Sequence, residues 1–144
     1  MSDELFTLRP AAERDWEYLN SYTYAEGMDH LPSLDNVTVA VNDADEPVGF
    51  IRIAFDEEGT AYVNPVVVHA SWRGYHVGQV LVDDAQAKYP ELRLVSRGSC
   101  KPFYDKLGFE NCSWDLIGEG VSEDCAHCTM TEECKPQPMR RFTR

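Results

Sequence analysis

Apolar and polar positions alternate with period two along "LFTLRP" (residues 5–10), the pattern of a strand with one buried face, and Pro10 ends the ladder. The period then lengthens. In "AAERDWEYLNSY", Trp16 and Leu19 recur at helical spacing with Ala12 a third candidate, and acidic residues gather at the start, where a helix dipole favours them. Residues 23–36 lose this periodicity and include Gly27 and Pro32, which predicts a short helix and a mobile loop. Three β-rich runs follow, "NVTVAVND", "PVGFIRIAF" and "AYVNPVVVHA", joined by "DADE" and "DEEGT" as an antiparallel meander. "VGQVLVDDAQAKY" returns to helical spacing, with Val77, Val80, Leu81 and Ala85 on one face and a stop before Pro90.

The remaining pattern is shorter. "LRLVS" is an apolar strand, and "KPFYDKLG" a short helix with Pro102 in its first turn and Gly108 at its end. "FENCSWDLI" and "AHCTMTEE" are expected as two closing strands across a polar loop at 118–124. From about residue 133 the tail "KPQPMRRFTR", with two prolines and a basic end, is expected as an extended arm packed on the domain or on a second subunit. The order is thus β-α-(α)-β-β-β-α-β-α-β-β. The strand after the long helix must return beside the strand before it by a right-handed crossover, giving an α/β (α+β) fold with a mixed sheet and helices on both faces. No repeat or linker interrupts the chain, so residues 1–144 are expected to form one domain.

Composition narrows the function. An apolar fraction of 43% with 11% aromatics excludes a disordered chain, and no apolar run is long enough to span a bilayer. "MSDELFTLRP" has neither a basic leader nor an apolar signal core, so a cytoplasmic location is expected. A net charge of −12 argues against nucleic acid or anionic membrane as partner. It suits a cationic small molecule or peptide, or simply solubility. Five cysteines, an odd number, argue for reduced thiols rather than a disulfide framework.

The chemistry centres on "WRGYHVGQVLV". Backbone N–H groups at the start of a helix lack intrahelical partners and sit in the positive end of its dipole, so they bind anions. Arg73, Gly74, Tyr75, His76, Val77, Gly78 and Gln79 occupy that position. No Lys-Ser/Thr pair follows, so this is not the loop of a nucleotide hydrolase, and the spacing is not that of a dinucleotide fingerprint; a diphosphate still matches.

These residues resemble the acetyl-CoA loop of the GNAT (Gcn5-related) N-acetyltransferases: Arg or Gln, any two, Gly, any, Gly or Ala. Arg73 and Gly78 match its ends. The resemblance extends along nearly the whole chain: "LRPAAERDWEYL" to the opening strand and helix, Gly49 in "PVGFIRI" to a glycine of the third strand, and "VVVHASWRG" to the strand entering the loop. "FYDKLGFE" resembles the tyrosine-containing helix, and "HCTMTEE", with Met130, the last strand. Two departures stand out: Ala70 replaces a usual proline, and His76 replaces the inner glycine where backbone approaches pyrophosphate. Either His76 directs its imidazole at a CoA phosphate, or it projects outward as a tolerated substitution whose N–H still serves, which is the preferred reading. A third alternative is loss of CoA binding.

The resemblance implies a GNAT fold of about seven mostly antiparallel strands, acetyl-CoA as co-substrate and direct attack by a primary amine on the thioester. It places the pantetheine arm on Val66, Val67 and Val68 as an added strand. It makes Tyr104 the acid for the departing thiolate, with core packing beside Phe103 as the alternative, and puts an oxyanion donor near Val68. The base stays open. Tyr62 and Asn64 are poor bases, and Asp29, His30, Glu57 and Glu58 are the alternatives. Tyr22 and Tyr24 are candidates for an aromatic wall around a cationic substrate.

"CAHCTMTEEC" supplies Cys125, Cys128 and Cys134, with Cys112 and His127 as further donors. A C-x2-C pair reads as half a zinc site, but in an extended strand Cys125 and Cys128 point to opposite faces, so reduced thiols are preferred over a structural zinc clip or inducible disulfide. Cys100 is expected to pack. The rivals to an N-acetyltransferase are therefore a catalytically silent CoA-binding module and a metal or redox protein built on the cysteines. Exposed strand edges near the C-terminus make a homodimer an expectation.

Overall fold

The computed structural model describes residues 6–25, 31–72, 74–96, 101–117 and 136–142. In chain order the elements are β1 (Thr7–Pro10), α1 (Trp16–Ala25), β2 (Val37–Val41), β3 (Pro47–Phe55), β4 (Ala61–Val68), α2 (Val77–Lys88), β5 (Glu91–Ser96), α3 (Lys101–Lys106), β6 (Glu110–Asn111) and β7 (Gln137–Phe142). The seven strands are hydrogen-bonded in the order β1-β2-β3-β4-β5-β7-β6. The sheet is mixed: β4 and β5 are parallel, whereas β1–β2, β2–β3, β5–β7 and β6–β7 are antiparallel. The parallel pair is the one a crossover through α2 requires.

The chain divides into two compact units, residues 1–53 with 64–85, and residues 54–63 with 86–144. In the first, β-branched runs build β2 and β3, and Leu19, Leu31, Val37, Val39, Val41, Phe50 and Val67 form the core. The entry to α1 is held by charge. Asp15, almost fully buried, accepts the Ala12 N–H at 2.7 Å and hydrogen bonds from the two terminal guanidinium nitrogens of Arg9 at 2.7 and 2.9 Å, while Arg9 Nε donates to Asp45 at 2.9 Å. That ties β1 to the turn between β2 and β3, where Asn42 Oδ1 accepts the N–H groups of Ala44 and Glu46. Asn20 Oδ1 accepts the Leu31 N–H at 2.8 Å and so anchors the chain leading into β2.

Two helical expectations shift. Ala12 precedes a short 3₁₀ turn, Glu13–Asp15, rather than joining α1. The buried residues of α2 in this unit are Val77, Leu81, Val82 and Ala85, whereas Val80 is exposed. Both sets are helically regular, and packing selects between them. The short helix and loop expected over 23–36 begin as the end of α1; residues 26–30 lie outside the described residues.

The second unit holds the largest correction. The stretch expected as an extended arm is β7, paired with β5 in the register Leu94↔Met139 and Val95↔Pro138, and Met139 is fully buried. The closing strand expected at "AHCTMTEE" lies outside the described residues, as does Met130. "FENCSWDLI" is strand only at Glu110–Asn111; Ser113 Oγ then accepts the Asp115 N–H and starts a 3₁₀ turn, Trp114–Leu116. Pro138 has no N–H to donate, but its carbonyl accepts the Cys112 N–H at 3.0 Å, so it serves between two partners.

Candidate functional site

β4 passes Asn64 and Pro65, with a cis peptide between them, and continues through the buried Val66, Val67 and Val68. Its ladder with β5 comprises Ala61↔Leu92 and Tyr62↔Arg93. The three valines therefore lie beyond that ladder. His69 follows, its N–H donating to the Val48 carbonyl at 2.8 Å, and a 3₁₀ turn, Ala70–Trp72, leads into the loop.

Arg73 lies outside the described residues. Gly74 has φ +93°, with open space where a Cβ would stand, and His76 has φ +63° with an exposed side chain. Two left-handed residues in three reverse the chain tightly, and α2 starts at Val77. Its first ladder bond runs from the Val80 N–H to the His76 carbonyl at 3.0 Å. The N–H groups of Val77, Gly78 and Gln79 thus stand ahead of the helix's own ladder, the arrangement that favours an anion. His76 thus holds the left-handed conformation that glycine adopts more freely than an L-residue does.

Around this loop sit rings that the sequence did not bring together. Tyr22 of α1 meets His69 edge-on, with centroids 5.3 Å apart, and its hydroxyl donates to the Pro47 carbonyl at 2.7 Å. Burial, then the neighbouring Tyr18 and Glu46, push the Tyr22 phenol pKa up. Tyr24 is almost fully exposed. Residues two apart on a helix point to different sides, so Tyr22 and Tyr24 do not form one wall. His69 was overlooked; the signal was a histidine ending an apolar run, "VVVHAS". Its Nδ1 accepts the Ser71 N–H at 3.2 Å and lies 2.7 Å from Ser71 Oγ, which leaves the ring proton of the neutral form on Nε2.

Tyr104 lies on α3 in the second unit, its ring edge-on to Phe103 at 5.1 Å and to Phe109 at 5.7 Å. Of the candidate bases, Glu57 and Glu58 are exposed in the β3–β4 turn, and Asp29 and His30 lie outside the described residues. Tyr62 is buried, with its hydroxyl 3.2 Å from Asp56 Oδ2; Asn64 is exposed. Among the described residues no three His, Cys, Asp or Glu side chains are grouped to hold a metal; Cys100, Cys125, His127, Cys128 and Cys134 lie outside them. Burial pushes the Cys112 thiol pKa up against the pull of Arg140 and Arg93, which makes it a weak ligand and nucleophile at neutral pH. No helix among the described residues is long and apolar enough to cross a membrane.

The sequence pattern of the acetyltransferase (GNAT) domain matches residues 33–111, more than half of the chain and the whole of β4, the loop and α2. This chain belongs to the GNAT family. The peptidyl-lysine N-acetyltransferase YjaB of Escherichia coli is 36% identical to it over 75 residues, 50% of this chain and 48% of YjaB. The chain thus matches about half the length of such curated relatives. The fold agrees with solved GNAT structures. N-acetylglutamate synthase from Neisseria gonorrhoeae, complexed with coenzyme A and N-acetyl-glutamate, superposes with a TM-score of 0.79 at 14% identity, over 99% of this chain and 36% of that one. The solution structure of apo YjaB gives 0.59 at 22% identity, with 94% of each chain covered.

Proposed function

We propose that this GNAT chain is an acetyl-CoA-dependent N-acetyltransferase that acts on a primary amine. The observation that carries the proposal is the run from β4 into α2. β4 runs on through Val66, Val67 and Val68, the chain turns through left-handed Gly74 and His76, and α2 then presents its free N–H groups. The backbone of Val66, Val67 and Val68 would take the pantetheine arm as an added strand, and Arg73 and Gly74 to Gln79 the diphosphate.

Acetyl-CoA supplies a thioester carbonyl for the amine to attack. An N–H near Val68 would carry the charge that gathers on the carbonyl oxygen, and the Tyr104 hydroxyl would give its proton to the leaving sulfur. Because Tyr62 is buried and Asn64 is an amide, water relayed to a carboxylate is the route we favour for the ammonium proton. A lysine side chain in a peptide is the first acceptor to try, since the YjaB relative is named for that activity. We further take residues 1–144 as one GNAT domain in the cytoplasm, without nucleic acid or membrane as partner; a net charge of −12 and an odd number of cysteines, five, support that reading.

The test is calorimetric titration of acetyl-CoA, followed by thiol release with a lysine peptide, a polyamine and free amino acids. Binding with turnover supports the proposal. Binding without turnover on any amine favours a CoA-binding module, the reading suggested by the lack of a strong base on β4. Absence of binding overturns both.

A further inference from the structure

We infer that Tyr75 is a stacking platform for the adenine ring of acetyl-CoA, an inference that rests on the acetyl-CoA reading of the loop. Tyr75 lies between the two left-handed residues, and half of its surface is exposed (50%). Its ring meets Trp72 with centroids 5.3 Å apart and planes tilted by 52°. Trp72 in turn meets Phe6 edge-on at 6.3 Å. The Tyr75 N–H also faces the Trp72 carbonyl at 3.4 Å, a turn that keeps the two residues together. The exposed ring is therefore braced from one side by a chain of aromatics that reaches to the residue before β1.

A loop whose task is an anion gains nothing from a phenol that a glycine or lysine would not supply better. What an exposed, braced ring offers is a π face. In CoA the purine is joined to the diphosphate through one ribose, so a diphosphate seated on the N–H groups of Val77 to Gln79 leaves adenine within reach of the neighbouring loop residues, Tyr75 among them. Purines stack on aromatic faces without any matching of hydrogen bonds. Electrostatics add a reason. Arg73 is the only Lys or Arg from residue 70 to residue 79, in a chain of net charge −12 that repels a nucleotide's phosphates. An uncharged stacking contact supplies affinity at the end of the ligand that this acidic chain attracts least.

The experiment compares acetyl-CoA with acetyl-phosphopantetheine, which has the same thioester and arm but lacks the 3′-phospho-AMP half with its adenine, by calorimetry at fixed salt. Tyr75→Ala is expected to weaken acetyl-CoA binding about tenfold, the range of one base–aromatic stack, and Tyr75→Phe to stay within about twofold. Acetyl-phosphopantetheine should bind wild type and Tyr75→Ala alike. Equal weakening of both ligands would mean that Tyr75 acts through the loop backbone and overturns the inference, as would no weakening of either. Failure of the wild type to bind acetyl-CoA overturns the acetyl-CoA reading itself, and this inference with it.

Discussion

Gly49 on β3 and Val77 at the first turn of α2 are as close as a residue without a side chain allows. A Cβ on Gly49 would stand 3.1 Å from Val77 Cγ1, 3.0 Å from the Val67 carbonyl oxygen and 3.4 Å from Val68 Cα. The start of α2 is thereby pressed onto β3 and β4 at the point where the loop delivers its N–H groups. The glycine serves the loop from outside it.

Gly49→Ala is expected to destabilise the protein by about 1–3 kcal/mol, because the Val67 carbonyl is backbone and cannot rotate away. Urea unfolding would measure this. Affinity for acetyl-CoA should fall as well, since α2 must lift from the strand that leads into the loop. Unchanged stability would mean that β3 and β4 yield more readily than a packed core does.

His76→Gly tests the loop directly. The left-handed conformation costs an L-residue about 1–2 kcal/mol, while glycine adopts it freely but loses more backbone entropy on folding. The net expectation is a gain of about 0.5–1 kcal/mol in stability, with tighter acetyl-CoA binding. If binding weakens instead, the imidazole itself contacts the ligand.

The order of elements, the run of strands β2 to β4 and the loop into α2 were legible because each rests on local pattern: period two, period 3.6, or a glycine beside a helix start. What was hidden depended on partners. β7 carries Pro138 and follows Pro136, which argue against a strand until Cys112 appears as the donor to the Pro138 carbonyl. Val80 and Val82 are equivalent by spacing, and only packing turns one of them outward. The proximity of Tyr22 and His69 spans 47 positions of sequence, and no periodicity reports such a contact. For His76 the sequence shows the departure from glycine, but only the structure shows the left-handed angle it adopts.

Asp15 predicts a pH dependence. Burial alone would raise its pKa, but the Arg9 guanidinium, the Ala12 N–H and Arg14 together hold it below the usual carboxylate range. A depressed folded-state pKa means that the carboxylate stabilises the fold fully above its unfolded value, about 3.9, and loses that contribution as pH falls through the lower folded value. Asp15→Asn should therefore cost about 2–3 kcal/mol at neutral pH. The gap between wild type and variant, followed by urea midpoints, should stay constant above about pH 5 and shrink below about pH 4. A gap that persists into acid would locate the effect in hydrogen bonding of the Ala12 N–H, which asparagine can partly replace, rather than in charge.

Tyr104 offers the sharpest separation of chemistry from packing. Its ring is held edge-on between Phe103 and Phe109, and its carbonyl accepts the N–H groups of Leu107 and Phe109, so the residue has a structural role whatever its hydroxyl does. Tyr104→Phe keeps the ring and the backbone bonds and removes only the oxygen. If the hydroxyl protonates the departing thiolate, kcat should fall about a hundredfold, within the usual range for a lost general acid. The acetyl-CoA Kd should hold if, as proposed, the loop and β4 carry the binding. Stability should move by less than about 0.5 kcal/mol if the hydroxyl lies outside the core. A variant with full kcat would leave Tyr104 as packing alone and require another proton source for the sulfur. A variant that loses both kcat and acetyl-CoA affinity would mean that the hydroxyl holds the ligand in the ground state, which is binding rather than acid catalysis.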